Sequence, residues 1–144
     1  MSAAAAGRDA AVKALLAAGA NASVADGDGT TALMAAASRG RLESVQGLIK
    51  AKAIVDQANS DGHTALFFAH NGRAQVEALA ARYAETVGAR ALDTDLEALA
   101  EARKTHGAIL DALLKAGADP KKKDLENRIA EDFDYRDPNK PAEK

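Results

Sequence analysis

The sequence predicts an all-α fold: a solenoid of stacked helix–turn–helix units, with a helical hairpin inserted in the third unit. Three observations carry this. Residue types recur at a step of 33, so that Gly7, Val12, Leu15, Leu16 and Ala20 are followed by Gly40, Val45, Leu48, Ile49 and Ala53. The same step carries Asp28, Gly29, Thr31, Leu33 and Ala36 onto Asp61, Gly62, Thr64, Leu66 and Ala69. A period of this length marks a unit that cannot bury its apolar face alone and stacks on copies of itself. Within each unit the apolar residues fall at helical spacing. Finally, alanine is abundant and aromatics are confined to Phe67, Phe68, Tyr83, Phe133 and Tyr135, and small side chains let helices approach closely.

The first unit, 1–24, is incomplete. Residues 1–7 supply at most the end of a first helix and Asp9–Ala18 the second, which reads either as an atypical terminal cap or as a unit cut from a longer array. The second unit, 25–57, is the clearest. Asp26-Gly27-Asp28-Gly29 is a turn cluster whose residues tolerate positive backbone angles. Thr31 caps a helix carrying Leu33, Ala36 and Ala37 on one face, and Gly40 stops it. A second helix follows with Leu42, Val45, Leu48 and Ile49 in phase, and Gly47 on its outer face costs about 1 kcal/mol relative to alanine.

The third unit, 58–120, carries an insertion at 73–105. After Thr64-Ala65-Leu66-Phe67-Phe68-Ala69 the next match to a second helix is Leu110, Leu113, Leu114, Gly117 and Ala118, some 32 residues late. Val76, Leu79, Ala80, Tyr83 and Val87 keep helical spacing, so the first helix continues to about Thr86, and Gly72 is either bypassed or marks a bend. A turn at Gly88-Ala89-Arg90 and a capping box at Thr94-Asp95-Leu96-Glu97 open a returning helix through Leu92, Leu96 and Leu99. Residues 121–135 form a partial C-terminal cap, with Glu126 to Phe133 as a degraded first helix and Asn127 in the glycine position. The stretch 136–144 reads as a polar, disordered tail.

These strings, DGDGTTALMAAASRGRLESVQGLI and SDGHTALFFAHNG, resemble the ankyrin repeat, a turn and two helices per 33 residues around a Thr-Pro-Leu-His-x-Ala core. The resemblance covers most of residues 5–133. Ala32 and Ala65 replace the proline. Met34 and Phe67 replace the histidine that in the family ties neighbouring turns together, and Lys52 replaces the glycine ending the second helix. The domain is thus expected at 1–135.

Composition excludes several classes. With a formal charge of −2 and 28% charged residues, the chain has no general attraction to nucleic acid or to anionic membrane. Lys121-Lys122-Lys123 is balanced at once by Asp124 and Glu126. No apolar run approaches a membrane span, and the alanine-rich start lacks the basic first segment of a targeting peptide. Absence of cysteine excludes disulfides and thiolate chemistry and fits a reducing, cytoplasmic setting. His63, His70 and His106 share no ligand spacing, with His63 read as a tip side chain and His106 at a helix entry, so no metal is expected. A calcium loop around Gly29 would place Val24 and Ala35 where carboxylates belong. Ser38, Ser44 and Ser60 stand in no nucleophile elbow, and Glu97 and Glu101 read as a solvated face. Neither a cofactor nor an enzymatic activity is expected, and the chain reads as monomeric on its own.

What remains is surface. The resemblance implies a protein partner lying against the hairpin tips and the exposed ends of the first helices, on the concave side. The matching positions are Gly27, Asp28, Thr30, Ser38 and Arg39 in the second unit, and Ser60, Asp61, His63, His70 and Asn71 in the third. Phe67 is either an aromatic anchor on that surface or core beneath the hairpin, and Met34 would extend an adaptable apolar contact. The expectation is a non-catalytic scaffold or adaptor. The alternative is a constitutive subunit or assembly factor of a larger complex, docked through 73–105.

Overall fold

The computed structural model describes residues 3–87 and 93–130. It contains α1 (Ala3–Ala17), α2 (Ala32–Ser38), α3 (Leu42–Lys50), α4 (Ala65–Val87) and α5 (Asp93–Lys115), with no strand among the described residues. The first helices α2 and α4 pack side by side, as do the second helices α1, α3 and α5, and α2 covers α3 as α4 covers α5. The core lies between the two layers, around Leu33, Met34, Val45, Leu48, Leu66, Ile109 and Leu113, each at most 2% exposed.

Local chemistry explains each boundary. Thr31 caps α2, its hydroxyl accepting from the Met34 amide at 3.3 Å, and Gly40 ends that turn at φ 67°. The second helices all close alike. Gly19 and Gly117, at φ 82° and 96°, follow α1 and α5, and Lys52 takes the same conformation at φ 61° after α3. Left-handed backbone costs a non-glycine residue about 1–2 kcal/mol, so Lys52 is a mild local strain.

Several expectations need correction. Ala3–Ala17 is one continuous helix, so residues 3–7 belong to α1, and Gly7 lies inside a helix whereas Gly40 ends one. Gly47 does not face outward: a Cβ there would lie 3.8 Å from Leu16 Cδ1, so it faces α1. α4 passes Gly72 without a break. His106 is not at a helix entry but in the middle of α5, 5% exposed. The expected turn at Gly88-Ala89-Arg90, Leu92, the side chain of Thr94 and everything after Ala130 lie outside the described residues.

α4 and α5 run 23 residues each, against seven for α2 and nine for α3. Their far portions pair: Tyr83 Oη donates to Asp95 Oδ2 at 2.5 Å, and Arg103 lies 3.8 Å from Glu77. Where α4 crosses α2 and His106 of α5 reaches the end of α2, packing is tight. A Cβ on Gly72 would sit 2.4 Å from the Ser38 carbonyl oxygen, and one on Gly40 would sit 2.8 Å from His106 Cε1. The imidazole fills the space these glycines leave, with Nδ1 2.9 Å from the Ala102 carbonyl and Nε2 3.4 Å from that of Ser38.

Candidate functional site

The hairpin tips repeat one hydrogen-bonding unit three times. The Asp26 carboxylate accepts from the amides of Asp28 and Thr30 at 3.1 and 2.8 Å. Asn59 Oδ1 accepts likewise from Asp61 and His63 at 3.1 and 2.9 Å, and Asp124 Oδ1 from Glu126 and Arg128 at 2.9 Å each. Asn59 follows Asp26 by 33 residues and Asp124 follows Asn59 by 65, which is 32 more than the period. Acceptor side chains at this turn position close the loop on its own backbone, so each tip is rigid before it meets its neighbours.

The tips are then bolted together. The Ser60 amide donates to the Asp28 carbonyl at 2.9 Å, and the Leu125 amide to the Asp61 carbonyl at 3.1 Å. That approach demands glycine. Gly29 and Gly62 have φ of +78° and +81°, and a Cβ on either would meet backbone atoms of the next tip at 3.0 and 2.9 Å. A second ladder runs below: the Ile54 amide donates to Ser23 Oγ and the Asp119 amide to Asp56 Oδ1, at 2.9 and 3.0 Å.

Side chains add one more tie. The His63 ring stacks on Phe67 with centroids 3.7 Å apart and planes 6° from parallel, while its Nε2 lies 3.3 Å from Asp124 Oδ2. Arg128 grips the same oxygen at 2.8 and 2.9 Å. Burial of the Asp124 carboxyl pushes its pKa up, but the amides of Arg128 and Glu126 and the Arg128 guanidinium outweigh it and hold the value down at about 2.

The expected partner-binding residues divide into three groups. Asp28, Ser60 and Asp61 project from the tips and are exposed, with Thr30 and His63 half-buried beside them. Ser38, Arg39, His70 and Asn71 gather at the far end of the first helices, where Gly72 meets Ser38, and of these only Arg39 is fully exposed. At 1.5 Å per residue, the seven-residue α2 separates the two groups by about 10 Å.

Met34, expected to extend the concave contact, and Phe67, expected either as an anchor there or as core beneath the hairpin, are 0% and 4% exposed and both belong to the core. The helical phase that brings Leu33 inward brings its neighbour in as well, because α2 and α4 are covered on two sides. The Met34 sulfur instead accepts from the Thr31 amide at 3.4 Å. His63 is likewise more than a tip side chain, since its stack and its Asp124 contact brace two units.

Sequence reasoning missed the Asp9 cluster. Ser44 Oγ donates to Asp9 Oδ1, and Arg41 lies 3.8 Å from Asp9 Oδ2. The signal was present, since Asp9 stands 33 residues before Leu42, where an apolar residue fits the phase. Nothing in these groupings assembles chemistry. Among the described residues no three metal-ligating side chains come together, and Glu97 and Glu101 are both exposed.

A family model described as ankyrin repeats, three copies, matches residues 1–89. The chain belongs to the ankyrin-repeat family. No curated protein matches it. Beyond the matched span, the tip around Asp124 repeats the ankyrin geometry in full, which places that turn in the same stack. In this ankyrin protein the two positions of the family's tying histidine have diverged: Met34 accepts from its own cap, and Phe67 supports His63, which carries the tie between turns. No described helix is long and apolar enough to cross a membrane.

Proposed function

We propose that this chain is a non-catalytic scaffold that captures a protein partner on its tips and on the exposed end of α2. Ankyrin repeats are generally protein–protein interaction modules, and the finer assignment rests on one observation. The tips are locked by three copies of the same turn and two rungs of backbone hydrogen bonds, while Asp28, Ser60 and Asp61 remain exposed. Side chains on a surface that is already ordered lose little entropy on docking. The partner supplies any chemistry of the resulting complex.

The test uses two side chains outside the structural ties. Arg39→Ala combined with Asp61→Ala is expected to abolish capture in a crosslinking pull-down from the native source. Thermal unfolding should shift by no more than about 4 °C, since substitutions away from packing and networks stay within about 0.5 kcal/mol each. Undiminished capture by the double variant would refute the assignment.

A second reading is favoured by Leu79 and Leu96, which are 57% and 46% exposed on the far portions of α4 and α5. It makes the chain a standing subunit of a larger assembly, held through 73–105. Removing that segment separates the two, since only the second reading loses the partner while the tips stay intact.

A further inference from the structure

We propose that the face of α4 and α5 left uncovered beyond the end of α2 seats a helix of an acidic protein partner, its first-turn carboxylates on the arginines gathered around Ser38. The inference rests on the reading that the chain is docked through 73–105, and it names the chemistry of what docks there.

The face arises because neighbouring helices differ in length. α2 and α4 lie side by side and run the same way: their tips are joined at Asp28 and Ser60, and Gly72 faces the Ser38 carbonyl at the far end. There α2 stops, while α4 continues to Val87, about 22 Å farther at 1.5 Å per residue. Val76, Leu79 and Tyr83 follow Gly72 at helical spacing, so they prolong the stripe that α2 covers. On α5, Leu99 stands two turns before His106, whose ring reaches the Ser38 carbonyl, and Leu96 lies one turn farther out. Past the end of α2, Leu79 and Leu96 are 57% and 46% exposed. The opening is set by where α2 ends, well inside the chain.

Four arginines gather at the foot of this face. Arg39 and Arg41 flank Gly40, Arg73 follows Gly72, and Arg103 stands one turn before His106. Every segment that meets at the crossing thus contributes. The carboxylates that answer them are fewer. Glu77 is shared by Arg73 and Arg103 at 3.1 and 3.8 Å, and Asp9 lies 3.8 Å from Arg41. Arg39 is exposed. In a chain of formal charge −2, this corner carries an excess of positive charge.

Apolar wall and cationic foot together select the occupant. A nucleic acid would use the arginines but leave Leu79 and Leu96 in water. A helix lying along α4 as α2 does would cover both. Starting at Ser38 and running outward, it sets its N-terminus against the arginines. Carboxylates in its first turn are then favoured twice, by the positive end of their own helix dipole and by charge-assisted hydrogen bonds to guanidinium. Apolar residues at i, i+3, i+4 and i+7 meet the leucines, as a helix does in an apolar groove.

The test places a photoreactive phenylalanine analogue at position 79 of the whole chain or, separately, at position 60, and sequences what each captures from an extract of the native source. Position 79 should capture a segment with Asp or Glu residues directly before an apolar helical stripe. Synthesised with a fluorophore, that segment should bind the wild-type chain. Its affinity should fall about tenfold or more with Arg39→Glu, with Leu79→Glu, or when lysine replaces its own first-turn carboxylates. Both chain variants change exposed side chains and should keep the wild-type far-UV spectrum. Capture at position 79 of a neutral or basic protein segment, or binding indifferent to Arg39→Glu, would overturn the inference and leave docking through 73–105 standing. Capture there of nucleic acid or of this chain's own residues, or of a partner from position 60 alone, would refute that docking and the inference with it.

Discussion

Gly47 and Gly72 both sit inside helices, where glycine costs about 1 kcal/mol relative to alanine, yet their surroundings give substitution opposite signs. A methyl on Gly47 meets only Leu16 at 3.8 Å, an ordinary van der Waals contact. Gly47→Ala should therefore stabilise by about 1 kcal/mol. A methyl on Gly72 would fall 2.4 Å from the Ser38 carbonyl and 2.6 Å from His106 Nε2. Gly72→Ala should destabilise by about 1–3 kcal/mol through overpacking. Urea denaturation of both variants checks the pair, and equal signs would contradict the crossing described. At Asp124 the test is acid. Its pKa is lowered from 3.8 to about 2, so its charge contributes stability above about pH 4 that is lost as pH falls through about 2. Asp124→Asn keeps the acceptor of the turn, as Asn59 does, and removes the charge. The variant should melt below wild type at neutral pH, and the gap should narrow between pH 4 and 2.

The repeat elements and the long pair α4 and α5 differ in what holds them. α2 is covered by α3 and α4, and α3 touches α1, α2 and α5. The far portions of α4 and α5 instead leave Leu79 and Leu96 half in water and rely on surface pairs such as Arg103–Glu77 at 3.8 Å, which contribute little in high dielectric. Burial resumes at Ala74 and His106. Hydrogen exchange should therefore divide each long helix: amides of 77–85 and 96–102 exchange faster than those of 66–72 and 107–113. Uniform protection would mean that the far portions are braced by more than each other. The helical spacing of Val76, Leu79, Ala80 and Tyr83 was legible because periodicity is local. The node of Gly40, Gly72 and His106 was not, because it joins residues from three elements and no spacing in the chain announces it.

Across the whole molecule, each layer is one helix thick and each unit leans on the next, so damage to a shared core position is felt throughout. Leu113 is fully buried in α5, which packs on both α3 and α4. Leu113→Ala should cost about 2–5 kcal/mol, read as a lowered midpoint of one cooperative far-UV transition. The step of 33 was enough to place α2, α3 and the tips around Asp26 and Asn59, because a repeated unit prints its phase on the chain, but not the start of α1 or the length of α4 and α5. Asn127 at φ 63° stands where glycine stood in the earlier tips, and that too was visible beforehand. Exposure was another matter. Met34 was expected on the surface yet lies inside, Phe67 took the inner of its two readings, Leu15 follows the core pattern yet is exposed, and His63 proved to brace Asp124. Phase fixes which way a side chain points along its own helix. Whether another element stands there to meet it depends on how many neighbours the unit has, and only packing in three dimensions settles that.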